Sequence, residues 1–276
     1  MAITAQDVNK LRKMTGAGMM DCKKALTEAN GDFDKAVEIL RKKGQKISAS
    51  RAGKTASEGS VFVKSIENDS KCILIALNCE TDFVAKNEEF KSLGQTIADL
   101  AAANNPSGIE ELLAVKAGNL SVAEKIEELM GKIGEKLEIS ACEELTGEKV
   151  ISYIHANNKL GVMVALTGVN GADVVEAGKD VAMQIAAMNP VAVDKDDVPK
   201  DVVDKEVEIG KEQAMAEGKP ENLVEKIAIG KLNKFYKDNT LLNQQFVKDN
   251  SQTIAKYLDS INKGLTVTAF KRIVIG

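Results

Sequence analysis

An internal repeat constrains the fold of this 276-residue chain more than any other feature of its sequence. Residues 61–77 and residues 150–166 share one layout, in which two apolar strand patterns flank a turn that contains Asn. A short polar loop follows each segment, and a helical pattern then begins, over residues 87–103 in the first copy and 172–188 in the second. The repeat predicts an α+β protein with two related core subdomains, joined by a helical connection over residues 122–137.

Residues 1–45 predict a compact module of three short helices. Thr4 and Asp32 are placed to cap the first and the third of these helices. The helices are predicted to end near residues 14, 29 and 43. Residues 46–60 are rich in Ser, Ala, Gly and Lys and have no sustained apolar period, so they predict a linker.

Residues 194–238 predict a long, charged helical hairpin, inserted into the second core subdomain. Each of its two helices has a narrow apolar seam, and a turn with Gly and Pro separates them. The seams consist of Val203, Val207, Gly210 and Ala214 on one helix and Val224, Ala228, Leu232 and Phe235 on the other. This pattern predicts a protruding antiparallel coiled coil. A final strand pattern over residues 265–275 is predicted to join one of the sheets. The core subdomains would then span residues 61–145 and residues 146–193 with 239–276.

The charge and the cysteine pattern argue against several function classes. The chain carries 37 Lys and Arg against 41 Asp and Glu, mixed along its length, so no direct binding of nucleic acid is expected. Four cysteines without a CxxC pair and a single histidine, His155, predict no metal site and no cofactor. A lone histidine near a hairpin turn also argues against catalysis, so the chain is not expected to be an enzyme. The absence of a long apolar run and of a signal pattern predicts a cytoplasmic protein with no membrane partner.

Residues 11–24 contain a glycine turn followed by two adjacent methionines, Met19 and Met20. A phosphate-binding loop requires GxxxxGK[ST] after a strand, and the Thr-Gly-Ala-Gly of this turn does not meet that requirement. Neighbouring helical residues point about 100° apart, so one of the two methionines is expected at the surface. The pattern is equally compatible with core packing and with a protein contact.

The loop over residues 79–87 of the first copy contains the pair Asp82 and Phe83. Thr81 or Asp82 is placed to cap the next helix, and Phe83 would then start its apolar face. The equivalent loop of the second copy, residues 167–173, has no aromatic residue and more glycine. The fold therefore does not require an Asp-Phe pair, and a function particular to the first copy is predicted.

Several segments together resemble the elongation factor Ts family, and the resemblance covers nearly the whole chain. The most specific are TGAGMMDCKKALTEANGD at residues 15–32 and TDFVAKN at residues 81–87. KIGE at residues 132–135, the hairpin with His155 and GKPENLVEKI at residues 218–227 stand in the order expected for that family. The resemblance implies an N-terminal module of the ubiquitin-associated type, a two-part α+β core and an inserted coiled coil.

The resemblance also implies a function. Members of the family bind the GTPase elongation factor Tu in its GDP-bound and nucleotide-free forms, displace its Mg²⁺ and promote GDP release, so that GTP rebinds. The displacing segment implied here is Thr81, Asp82, Phe83 and Val84, in which Phe83 wedges between elements of the GTPase while Asp82 orders the loop or competes near the metal. The other partner contacts implied are Arg12, Met19, Met20, Ile133, Gly134 and His155. A homodimer through the coiled coil, or a heterotetramer with the partner, is compatible with this interpretation.

Two features depart from the family pattern. Well-known members continue past the position of Gly276 into a further helical module that touches the GTPase, so we expect that contact to be absent or replaced. Residues 242–247 lack the proline that usually follows the glutamine, which leaves the local turn open.

Two other functions compete with this interpretation. An adaptor would bind ubiquitin-like or other peptide partners through residues 1–45, but it leaves Asp82 and Phe83 unexplained. A nucleotide hydrolase ranks far behind, because the phosphate-binding loop is missing.

Overall fold

The computed structural model of the protein describes residues 3–276 and consists of helices and antiparallel sheets. Its helices are α1 (Ala5–Thr15), α2 (Met19–Glu28), α3 (Phe33–Arg51), α4 (Asp82–Ala85), α5 (Glu88–Asn104), α6 (Ile109–Ala114), α7 (Val122–Ile133), α8 (Val175–Met188), α9 (Lys200–Ala216), α10 (Glu221–Asn239) and α11 (Ile254–Ile261). Its strands are β1 (Glu58–Ile66), β2 (Lys71–Cys79), β3 (Lys116–Ala117), β4 (Leu120–Ser121), β5 (Leu137–Thr146), β6 (Lys149–Ile154), β7 (Leu160–Thr167), β8 (Gln245–Phe246), β9 (Asp249–Thr253) and β10 (Thr266–Val274). The predicted α+β class is confirmed.

The main strands form two three-stranded antiparallel sheets with the same topology. In each sheet a later strand pairs with the second strand of a hairpin: β5 joins the β1–β2 hairpin, and β10 joins the β6–β7 hairpin. The register shifts between Ala76 and Leu77 in the first sheet and at the equivalent Ala165 and Leu166 in the second. Both predicted hairpins and the predicted closing strand are confirmed.

The two sheets pack face to face, and helices cover their outer faces. Side chains along β2 alternate between the helix side (Ile73, Ile75 and Leu77) and the side of the other sheet (Cys72, Leu74 and Ala76). Strand β7 alternates in the same way. A strand buried on both faces needs a continuous apolar sequence, which accounts for the two apolar runs of the repeat. Gly161 lies in this contact between the sheets, where an added Cβ would be 2.7 Å from Leu74 Cδ1.

Helices α5 and α8 pack on their sheets through equivalent glycines. An added Cβ on Gly94 would lie 2.2 Å from the ring of Phe62 on β1. An added Cβ on Gly178 would lie 2.4 Å from Ile151 Cγ1 on β6. In each copy the missing side chain therefore lets the helix approach the first strand of the hairpin closely.

The repeat extends further than the sequence predicted. After α5 and after α8 the chain forms a short hairpin (β3–β4 or β8–β9) and then a capped helix, with Ser121 capping α7 and Thr253 capping α11. Glycines with positive φ, 81° at Gly134 and 82° at Gly264, precede the third strands. The predicted connection over residues 122–137 was too long, because Gly134 ends α7 in the left-handed conformation that glycine tolerates best.

The N-terminal module has its own small core, built around the buried Leu11, Cys22 and Leu26. The predicted linker over residues 46–60 was too wide, since α3 continues to Arg51 and β1 begins at Glu58. Helix α3 stays helical because it packs on α7, where an added Cβ on Gly131 would lie 2.8 Å from Gly44 Cα. The division of the chain into domains stays a prediction.

Helices α9 and α10 are inserted between α8 and β8 and pack on each other. Gly210 and Ala228 meet in this contact, where an added Cβ on Gly210 would lie 3.1 Å from Ala228 Cα. Ala214 and Val224 of the predicted seams are also buried. The predicted helical hairpin is confirmed, while its description as a coiled coil stays a prediction.

Candidate protein-interaction site

Phe83 is the most exposed of the large apolar side chains in the described residues, with 81% of its surface accessible. It lies on α4, a single helical turn between β2 and α5. The hydroxyl of Thr81 caps this turn by accepting the Val84 amide at 3.4 Å. Val84 and Ala85 are buried in the first core. Since neighbouring helical residues point about 100° apart, burial of these two side chains turns Phe83 toward solvent.

Asp82 lies beside Phe83 on the exposed side of α4. Its carboxylate accepts a hydrogen bond from Lys86 Nζ at 2.6 Å, one helical turn further on. This hydrogen bond lowers the pKa of the Asp82 carboxyl, so the group is ionised at neutral pH. Exposed ion pairs of this spacing are weak, and the carboxylate can exchange Lys86 for another cation without a large cost.

Ile133 and Gly134 are brought next to this loop by the turn between α7 and β5. The following residue, Glu135, accepts hydrogen bonds from the amide and the hydroxyl of Thr81 at 3.1 and 2.8 Å. Ile133 packs partly against the first core, and Gly134 ends α7. The predicted TDFV segment and the predicted KIGE segment are therefore neighbours in space, although Glu135 lies 54 positions after Thr81 in the chain.

The methionines Met19 and Met20 are both exposed, at 51% and 63% of their surfaces. They begin α2, whereas Cys22, Ala25 and Leu26 face the small core. The sequence predicted one of the two methionines at the surface, and the structure places both there. Arg12 is exposed on α1, and so is Met14, which is not among the contact residues predicted from the sequence. The exposure of Met14 could have been predicted, because Met14 lies outside the apolar face of α1 that Val8 and Leu11 form.

The glycine turn before these methionines contacts the end of α7. An added Cβ on Gly16 would lie 2.7 Å from Lys132 Nζ. Lys132 directly precedes Ile133, so the turn of the N-terminal module, the KIGE segment and the loop of Phe83 follow one another in space.

His155 lies elsewhere, in the turn of the β6–β7 hairpin of the second sheet. It is exposed, and its Nδ1 is 2.9 Å from the Tyr153 hydroxyl. The contacts of His155 do not connect it to Phe83 or to the methionines, so the structure does not bring it into the same group of residues.

No group of three or more His, Cys, Asp or Glu within residues 3–276 could hold a metal ion. Burial raises the pKa of the Cys79 thiol to about 12 and that of Cys72 to about 11, which keeps both protonated. None of the helices described for residues 3–276 is both long enough and apolar enough to cross a membrane.

An exposed aromatic side chain on a loop whose base is buried and hydrogen-bonded is a candidate anchor for contact with another protein. The family model described as "Elongation factor TS" matches residues 80–276. A protein named elongation factor Ts from Amoebophilus asiaticus (strain 5a2) is 58% identical over 276 residues, which covers all of both chains. A protein of the same name from Cytophaga hutchinsonii is 60% identical over 98% of each chain. Another, from Porphyromonas gingivalis (strain ATCC BAA-308 / W83), is 50% identical over 100% of this chain and 99% of the relative. The chain belongs to the elongation factor Ts family, and its role is that of a translation elongation factor.

Proposed function

We propose that this protein binds elongation factor Tu in its GDP-bound form and promotes release of GDP. The observation that carries the proposal is Phe83, an exposed aromatic side chain on a loop whose base is buried and hydrogen-bonded. Exposing a phenylalanine to water is unfavourable, and a partner that buries it recovers about 25 cal/mol per Å² of apolar surface.

The mechanism is thermodynamic linkage. Mg²⁺ bridges the phosphates of a bound nucleotide and the GTPase, and this holds GDP in place. A protein that binds the nucleotide-free GTPase more tightly than the GDP-bound form must weaken GDP binding by the same factor. Each tenfold weakening requires about 1.4 kcal/mol of differential binding free energy. This step needs no covalent chemistry, so we propose an exchange factor and not an enzyme.

The remaining residues have supporting roles in this proposal. Phe83 inserts between elements of the GTPase, and Asp82, once released from Lys86, interacts near the Mg²⁺ site of the partner. Thr81 and Val84 hold the turn, while Ile133 and Gly134 pack beside it. Arg12, Met19 and Met20 form a second contact on the N-terminal module. His155 contacts a different part of the partner, which fits its separate position.

Stopped-flow release of fluorescent GDP from purified elongation factor Tu tests the proposal. We expect the protein to accelerate release, and Phe83→Ala to lose about 2 kcal/mol of the interaction, or about 30-fold in rate at limiting concentration. Val247→Ala is a matched control, because Val247 is also exposed but lies after β8. An unchanged rate of GDP release with the wild-type protein would refute the exchange function and favour the adaptor. A loss that is equal for the two variants would refute the special role of Phe83.

Several expectations from the sequence stay predictions: a homodimer or a heterotetramer, the lack of direct nucleic-acid binding, and a cytoplasmic location.

A further inference from the structure

Two segments of the chain exchange hydrogen bonds at the base of the Phe83 loop, and in each segment a glutamate is the acceptor. Glu135, in the turn between α7 and β5, accepts the amide of Thr81 at 3.1 Å through one oxygen and the Thr81 hydroxyl at 2.8 Å through the other. Glu80, in the loop itself, accepts the amide of Lys136 at 2.7 Å. Each segment thus supplies a carboxylate to a backbone amide of the other. Hydrogen bonds from amides to carboxylates are among the stronger ones in proteins.

The bond from Thr81 to Glu135 also determines the orientation of α4. A carboxylate accepts hydrogen bonds and cannot donate, so the hydroxyl proton of Thr81 must point to Glu135. The lone pairs of the same hydroxyl oxygen are then free to accept the Val84 amide, which caps α4. Glu135 therefore influences the helical turn that carries Phe83 through one residue, Thr81.

Arg51 neutralises the second glutamate. Only 17% of the Glu80 side chain is accessible, and a mostly buried carboxylate needs a partner for its charge. Arg51, the last residue of α3, lies 3.1 and 3.3 Å from the two Glu80 oxygens through Nη1. The same carboxylate thus contacts the end of the N-terminal module and the turn before β5.

The second copy of the repeat shows that the fold does not require this arrangement. There the turn before β10 contacts the equivalent loop through an amide group: Asn262 Nδ2 donates to the carbonyls of Gly168 and Val169 at 2.7 and 3.1 Å. Glu148 accepts the Gly168 amide at 2.8 Å, but it comes from the beginning of the hairpin and receives no bond from the turn before β10. The exchanged pair of glutamates occurs in the copy that carries the exposed phenylalanine.

We propose that Glu80 and Glu135 are positioning residues for Phe83, which they hold in its exposed orientation before any partner binds. The expected effect of the two glutamates on GDP release rests on the proposed exchange function, whereas their effect on the orientation of Phe83 does not. A side chain that is already in place loses less conformational entropy on binding, so more of its burial contributes to affinity. The glutamates themselves need not touch the partner.

Amide hydrogen exchange in the free protein tests the geometry without a partner. We expect Glu135→Ala to accelerate exchange of the Thr81 amide by about tenfold or more, and Glu80→Ala to do the same for Lys136. If the two hydrogen bonds form and break together, each substitution also accelerates hydrogen exchange at the other amide. Glu138→Ala is the matched control, because the Glu138 carboxylate pairs with the Lys136 ammonium at 2.7 Å and with neither amide. Unchanged exchange in both glutamate variants, with the amides of β2 and β7 still protected, would overturn the proposal.

A double-mutant comparison tests whether Glu135 affects GDP release through Phe83. We expect Glu135→Ala to slow release by about tenfold at limiting concentration, and Glu135→Gln, which keeps one acceptor oxygen, to recover part of that loss. In the Phe83→Ala background, Glu135→Ala should have no further effect, because the residue it positions is gone. An equal loss in both backgrounds would show that Glu135 acts independently of Phe83. If the wild-type protein does not accelerate GDP release, the exchange function fails, and hydrogen exchange still decides the positioning role.

Discussion

The two copies of the repeat have the same architecture and differ most in the loop between the second strand and the first helix. Twelve residues separate Leu77 from Phe90 in the first copy, and seven separate Leu166 from Val174 in the second. The longer first loop contains the four-residue helix α4, which presents Phe83. In the second copy the shorter loop turns through Gly168 and Gly171, both with φ of 77°. The comparison shows that the same packing occurs in both copies, while of the two loops only the first carries an exposed phenylalanine.

The interiors of the copies differ in the size of the residues that fill equivalent positions. Four residues before the packed glycine, the first copy has Phe90 and the second has Val174, and both are buried. Phe90 also approaches Phe62, with ring centroids 6.3 Å apart. The first copy therefore depends on a pair of aromatic rings where the second depends on aliphatic side chains.

The largest effect is expected from Phe90→Ala, which should lower the free energy of unfolding by about 3–5 kcal/mol. Val174→Ala should cost about 1–2 kcal/mol, since it removes two buried carbons at about 0.8 kcal/mol each. Urea denaturation of the full chain, followed by circular dichroism, measures both losses. Equal losses for the two variants would contradict the idea that the first copy relies on its aromatic pair.

Alanine at the packed glycines should cost less, about 1–3 kcal/mol at each site. We expect Gly178→Ala to be the more damaging of the two. Its new methyl group would meet Ile151 at Cγ1 and Cβ, close to the strand backbone, and the branched side chain has little freedom to move. The methyl group of Gly94→Ala would meet the far edge of the Phe62 ring, which can shift. Thermal unfolding of both variants checks the order, and a more damaging Gly94→Ala would show that the Phe62 ring is held rigidly.

Sequence patterns predicted the elements whose signals are local. Strands β2 and β7 have continuous apolar runs, and α5 and α8 have helical periodicity, so the repeat was visible directly. Strand β5 was missed because it lies at a sheet edge, where Glu138, Glu143 and Glu144 interrupt the apolar pattern. Helix α11 was missed because only eight residues form it.

The candidate site was predictable in part for the same reason. The contrast between the sequences of the two loops points to Asp82 and Phe83. The bonds that hold Phe83 connect Thr81 with Glu135 and Glu80 with Lys136, which are 54 and 56 residues apart. A glutamate in a polar loop has no local signal for such a partner, so only the folded chain shows the pairing.

The smallest effect is expected from moving the aromatic residue to the other copy. Asp173 is exposed in the second loop, directly before Val174, so Asp173→Phe places a phenylalanine on that surface. The substitution removes the hydrogen bond from the Val175 amide to Asp173 at 3.1 Å, a loss of about 1 kcal/mol that should leave the fold intact. Combined with Phe83→Ala, it should restore GDP release from elongation factor Tu by less than about twofold, because the second loop has neither α4 nor the exchanged glutamates to orient the ring. A recovery of tenfold or more would show that any exposed aromatic residue on this face suffices, and that the five additional residues of the first loop are not what distinguishes the two copies.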